Sequence, residues 1–428
     1  MLACLSCSND NDTNTSNHGK AEIRAVNESA IISGVGTKAI VHCRVIVGDG
    51  TTVIEDGCVV VSDTTIEAVG KFGEVAVPDG AEVIEASGMT LLPGLIDAHF
   101  HLNRLDSLPA LFLKNGITSM RDPGAWIEDY DAVRATGMAL PRLYLTGPHI
   151  DMFHPAYPEN SFVVRDISEA KMAVDKFANQ GASAIKIYFR CSQEIIRAVC
   201  AAADARGIPV TAHLEISDIY ETVAAGLDGI EHITSLGTNL VPAPQAEAYK
   251  QQILQDNNAR RQGRYDMWQT IDPNGESAEK LGSFLAQRNV FVCPTLGAFE
   301  YQPSGNDLDT LRQEAFQHMT GYTKKLHDLG VSVVVGSHSR VKYAETGWAF
   351  HHEMELFEKL GMEPLKIIKA ATLDNAAFFG ILDRLGTIQK NKRADFILVE
   401  GNPLKGIATL RNIRRVMLSG AWVMSEND

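Results

Sequence analysis

Between residues 93 and 383, short apolar β-branched runs alternate with amphipathic helical stretches, and this alternation limits the possible fold more than any other feature. The runs fall at 94–98, 117–121, 143–146, 184–188, 209–212, 229–233, 290–293 and 331–335. Helical periodicity separates several of them, at Ser168–Asn179, Gln193–Arg206 and Asp309–Leu329. Gly116, Gly181, Gly207, Gly226 and Gly330 stand shortly before the next run, as glycines that end helices do. Eight strand–helix units over roughly 260 residues fit an α/β fold of the (β/α)8 TIM-barrel type, spanning 93–383. The segment 238–289 is too long for a simple crossover and reads as a helical insertion near the mouth of the site. A doubly wound sheet is the alternative, but no Gly-x-Gly-x-x-Gly turn follows the first strand.

Both chain ends read as β-structure. Residues 39–47, 58–62, 65–69 and 82–84 are strand-like, with a Gly-Asp-Gly turn at 48–50; so are 394–400, 412–418 and 421–424. Neither end can bury a core by itself, so a composite β-sandwich domain from 21–92 plus 384–428 is expected. Residues 1–20 differ. A short apolar stub ending in Cys7 leads into a polar stretch, which reads as a disordered tether or a signal remnant. The junction resembles the end of a bacterial lipoprotein signal, with a lipid anchor at Cys7 or Cys4, although it lacks a basic leader. Cell envelope and cytoplasm are both compatible with it. Past that stub, no segment approaches the ~20 apolar residues of a membrane span. A net charge of −14 argues against a nucleic-acid partner. Seven cysteines, an odd number mostly inside apolar segments, read as buried free thiols.

In a barrel of this type the chemistry sits at the C-terminal ends of the strands. Those ends carry His99 and His101, then Asp122, Lys186, His213, His232 and His338. Residues i and i+2 of a strand share a face, so His99 and His101 leave the first strand side by side and suit a divalent metal. Each residue alone has an ordinary reading: Lys186 can extend its amine to water, and His213 can be a satisfied core imidazole. Together on one rim they point to a metal site.

Pro93-Gly-Leu-Ile-Asp-Ala-His-Phe-His101 resembles the first-strand signature of the amidohydrolase superfamily. Gly116–Gly124 is similar to its second strand, and Arg384–Pro403 to its C-terminal return. The resemblance spans roughly 38–428 and leans toward the imidazolonepropionase-like and Xaa-Pro dipeptidase-like branch. It implies two divalent ions, zinc by default, with His99 and His101 on the more buried one and His213 and His232 on the second. Lys186, carboxylated on its amine, would bridge them. It also implies a homo-oligomer. The usual last-strand Asp is His338 here, a neutral imidazole able to accept a proton but not to bring a negative charge. The expected reaction is hydrolysis of an amide-type C–N bond in a small molecule, a dipeptide or N-acyl amino acid being favoured. Opening of a cyclic amide or imidazolone, hydrolysis of a urea or carbamate, and a non-catalytic metal-binding barrel are the alternatives. For the substrate, His149 and His154 lie on the stretch after the third strand, and Tyr188 and Arg190 lie just past Lys186. Arg190 offers a planar fork for a carboxylate. Trp348, His351 and His352 either line the mouth or pack.

Overall fold

The computed structural model describes residues 22–302 and 307–424. The expected tether with Cys4 and Cys7 therefore lies outside the described residues. Five strands come first: β1 (Thr37–Ile46), β2 (Val53–Ser62), β3 (Thr65–Lys71), β4 (Glu82–Glu85) and β5 (Met89–Pro93). The β1–β2 reversal has a local cause. Asp49 Oδ1 accepts the backbone N–H groups of Thr51 and Thr52 at 2.8 and 2.7 Å, closing the turn between two glycines.

Ten parallel strands follow: β6 (Leu95–Asp97), β7 (Ile117–Asp122), β8 (Arg142–Leu145), β9 (His149–Asp151), β10 (Ser161–Val163), β11 (Ile185–Ile187), β12 (Val210–Ala212), β13 (Gly229–Glu231), β14 (Phe291–Cys293) and β15 (Ser332–Val333). They form a sheet in the order β6-β7-β8 and another in the order β10-β9-β11-β12-β13-β14-β15. Beyond the strands, Ser183 N–H donates to Leu145 O at 2.8 Å and Ala98 N–H donates to Val335 O at 3.1 Å. The fold is a TIM-barrel-like α/β fold. Most of these strands are wholly buried, which explains why they read as apolar runs and not as alternating ones.

The last three strands are β16 (Phe396–Glu400), β17 (Ile413–Leu418) and β18 (Ala421–Met424). They join the first five in one eight-stranded sheet, β18-β17-β16-β5-β1-β2-β3 with β4 also beside β1. Strands from the two chain ends meet where β16 pairs antiparallel with β5. The sheet packs separate apolar clusters, one with Ile40, Val45, Val59 and Val61, the other with Ala39, Val41, Cys58 and Val60. A buried ion pair links this sheet to the parallel strands. Arg142 donates from Nε and Nη2 to the two Asp395 carboxylate oxygens at 3.1 and 3.2 Å, and from Nη1 to Glu28 at 3.1 Å.

Segment 238–289 holds three helices, Ala243–Gln255, Arg260–Trp268 and Glu276–Gln287. A difference from the sequence reading lies at 146–155. Instead of a loop, His149–Asp151 is strand β9, paired with β10 and, through Ile150, with Ile187. Three residues, two of them polar, carry no periodic signal, and pairing across the chain decides their conformation. Cys43, Cys58, Cys191, Cys200 and Cys293 are buried free thiols.

Candidate metal centre

The strand ends bring five imidazoles together. Ring centroids lie 4.9 Å apart for His99 and His101, 4.5 Å for His99 and His232, and 4.7 Å for His213 and His232. His338 closes the group at 4.8 Å from His101 and 5.4 Å from His99. Candidate ligand atoms of His99, His101 and His338 all fall within 4.8 Å of one another. Gly336 permits this crowding: a Cβ there would stand 2.4 Å from Cys293 Sγ and 2.7 Å from His99 Cβ.

One nitrogen of four rings faces an acceptor outside the cluster. His99 Nδ1 lies 2.6 Å from Glu231 Oε2, and His232 Nδ1 lies 2.7 Å from Thr295 Oγ1. The Thr295 hydroxyl donates to Pro294 O, so it accepts from His232. His101 Nδ1 is 3.5 Å from Asp122 Oδ1, and His213 Nε2 is 3.2 Å from Glu215 Oε1. In His99 and His232 this leaves the Nε2 lone pair free. His99 Nε2 and His101 Nε2 then face each other at 3.1 Å. At that distance His101 can donate to the free His99 lone pair, and with both rings unprotonated at Nε2 one cation can touch both at about 2.1 Å. Lys186 Nζ, buried, and both ring nitrogens of His213 have no hydrogen-bond partner among the described residues, in an interior where such atoms are normally paired. These residues fit a divalent metal.

The electrostatics agree with a cation-ready site. Burial lowers His99 and His213 to about 4 and pushes His232 and His338 well below the usual imidazole range, so the rings are neutral and able to ligate. Burial also lowers the Lys186 amine to about 8, which brings its neutral form within reach. Burial by itself raises Glu231, but Lys186 and His99 outweigh it and hold this carboxyl well below the usual range.

Tyr188 and His149 form a wall next to the imidazoles. His149 is buried and stacks on Tyr188 at 4.5 Å, and Tyr188 lies 4.7 Å from His213. The Arg190 fork, expected to hold a carboxylate, is taken up by the protein itself: it donates to Asn257 Oδ1 and to the carbonyls of Ile253 and Leu254. His154 is exposed, its carbonyl accepting from Asn257. His352 pairs with Glu300 at 2.5 Å, and His351 packs against Trp348.

Sequence reasoning passed over Glu231, Thr295, Glu215 and Arg260. Arg260, from the second helix of 238–289, is buried and donates to Tyr188 Oη at 2.9 Å. Glu231 precedes His232, and strand alternation would send the two to opposite faces. His232 escapes that rule at φ +66°, a conformation uncommon outside glycine, so both side chains reach the cluster.

The family model of the amidohydrolase family matches residues 90–244 and 265–423. No protein of curated function matches the sequence. Among solved structures, a Xaa-Pro dipeptidase with bound methionine in its active site is similar at 22% identity and TM-score 0.70, over 90% of this chain and 99% of that one. Ochratoxinase of A. niger is similar at 17% identity and TM-score 0.71, over 92% and 96%. Phenylurea hydrolase B is similar at 18% and 0.70, over 92% and 97%. With its model covering most of the chain, and the imidazole cluster lying within that match, the protein belongs to the amidohydrolase family, hydrolases that act on C–N bonds.

Proposed function

We propose that the protein hydrolyses an amide-type C–N bond in a small carboxylate-bearing molecule, a dipeptide or an N-acyl amino acid, with the aid of divalent metal. One observation carries this reading: five imidazoles and an unpartnered buried lysine converge on one end of the parallel strands. His99 and His101 would hold the more buried ion, His213 and His232 the second, and a carboxylated Lys186 would bridge them, zinc suiting this donor set. Such ions, when bound, make water acidic near neutral pH and polarise a carbonyl. His338, neutral and beside His101, accepts the proton of the attacking water and passes it to the departing amine. Tyr188 and His149 line the substrate, and Arg260 beside Tyr188 takes the carboxylate role that the sequence offered to Arg190. The same reading divides the chain into a closed eight-unit barrel over 93–383 and a small sheet domain from 21–92 plus 384–428.

The test is metal content per chain after growth with zinc and bicarbonate, followed by turnover of a panel of dipeptides and N-acyl amino acids. Two ions per chain and turnover of the panel are expected; a protein that binds no zinc when it is added back refutes the reading. Unchanged turnover in His338→Ala refutes the proton role of that residue.

A further inference from the structure

The imidazole at position 338 raises a question of charge. An ion held by His99 and His101 has the uncharged imidazole of His338 beside it, where the family's usual last-strand Asp would bring an anion. Divalent charge in a buried site needs negative charge nearby. The structure holds three carboxylates behind the rings, Asp122 standing 3.5 Å from His101 Nδ1. Glu231 is fully buried, with Oε2 2.6 Å from His99 Nδ1 and Oε1 accepting the Thr211 hydroxyl at 2.8 Å. Glu215 is buried on the other side, with Oε1 3.2 Å from His213 Nε2.

We propose that Glu231 supplies, through His99, the negative charge that His338 does not. This rests on the metal-dependent reading above. Glu231 is a positioning residue. Its carboxylate accepts the Nδ1 proton of His99, which fixes the tautomer, aims the Nε2 lone pair at His101 and makes the ring a stronger donor. Several features make it suited to that work. Its second oxygen is held by Thr211, so the carboxylate cannot rotate away. It enters from β13, next to His232, so one backbone turn sets both a ring and an anion. Gly336 approaches His99 Cβ and backbone N so closely that no side chain could stand between them. Low local dielectric lets the charge act through the ring.

Zinc affinity by competition with a chromophoric chelator, together with the visible spectrum of the cobalt-substituted protein, tests the proposal without reference to turnover. Glu231→Gln should weaken the tightest ion by about 10–100-fold and shift the cobalt bands. Adding His338→Asp in that background should restore most of the affinity, because the charge returns on the other side of the ion; a purely structural role for Glu231 predicts no such rescue. Affinity and spectrum unchanged in Glu231→Gln, or a double variant no tighter than the single one, overturns the proposal. Should Glu231→Gln not fold, His338→Asp alone replaces it: tighter zinc binding supports the proposal, and unchanged binding overturns it. A wild-type chain that binds neither zinc nor cobalt removes the metal-dependent reading and this proposal together, whereas wild-type binding with indifferent variants removes this proposal alone.

Discussion

Replacing Arg142 by Met should show how strongly the terminal sheet is tied to the parallel strands. Arg142 and Asp395 are buried and paired through two hydrogen bonds, with Glu28 on the third guanidinium nitrogen. Asp395 also accepts the Ser419 N–H at 2.7 Å. After Arg142→Met the Asp395 carboxylate stays buried with its two charge-assisted donors gone, and removing one member of such a pair costs about 3–5 kcal/mol. Unfolding entropy of ~2.1 cal/mol/K per residue gives about 0.9 kcal/mol/K for this chain, so the change should lower Tm by about 3–6 °C. Arg142→Met combined with Asp395→Leu should recover most of that, since an apolar pair of similar volume replaces a buried ion pair at little cost. Scanning calorimetry and urea denaturation of the metal-free proteins provide the measurement, with coupling taken from the double-mutant cycle. A single variant costing less than about 1 kcal/mol, or strictly additive single effects, refutes the argument that this pair fastens the sheet.

Three further outcomes are expected. Lys186→Met should lose bound metal and abolish the carbamate signal that 13C-bicarbonate gives in the NMR spectrum of the wild type; a signal that persists assigns the modification elsewhere. Arg260→Met should raise KM for carboxylate substrates by about 10–100-fold with a smaller change in kcat, the loss of a charge-assisted hydrogen bond of about 1.5–3 kcal/mol; an unchanged KM refutes its role. Glu353, buried on helix Ala349–Lys359, accepts the N–H groups of Leu296 and Gly297 at 2.7 and 2.8 Å, yet burial raises its carboxyl to about 8. A carboxyl raised in the folded state binds its proton more tightly there than when unfolded, so its contribution is full below about 4.5 and is lost as pH rises to about 8. Thermal scans across that window should show a decline that Glu353→Gln flattens; parallel curves refute the assignment.

What could be read from the sequence followed from strand geometry. His99 and His101 share a face by period two, and His213 and His232 directly follow, while Lys186 sits in the middle of, runs whose apolar character is set by burial on both faces. The three helices named from periodicity occur, as Ile167–Asn179, Gln193–Arg206 and Asp307–Asp328. What could not be read depends on contacts between distant segments. Arg190 has the right chemistry at the right strand end, but Asn257 and the end of helix Ala243–Gln255 occupy its donors, while Arg260, seventy positions further on, reaches Tyr188. Glu231 was hidden for the opposite reason: it adjoins a named residue, and the alternation that located His232 predicts that its neighbour faces away. A positive φ at His232 breaks that alternation. His338 and Ser339 depart in the same way, at φ +54° and +62°, at the end of the last barrel run. Departures from regular backbone cluster where the chain must present several polar groups to one point, because regular strand geometry can present only every second residue. The rule that made half of the site legible is therefore the rule that the other half has to violate.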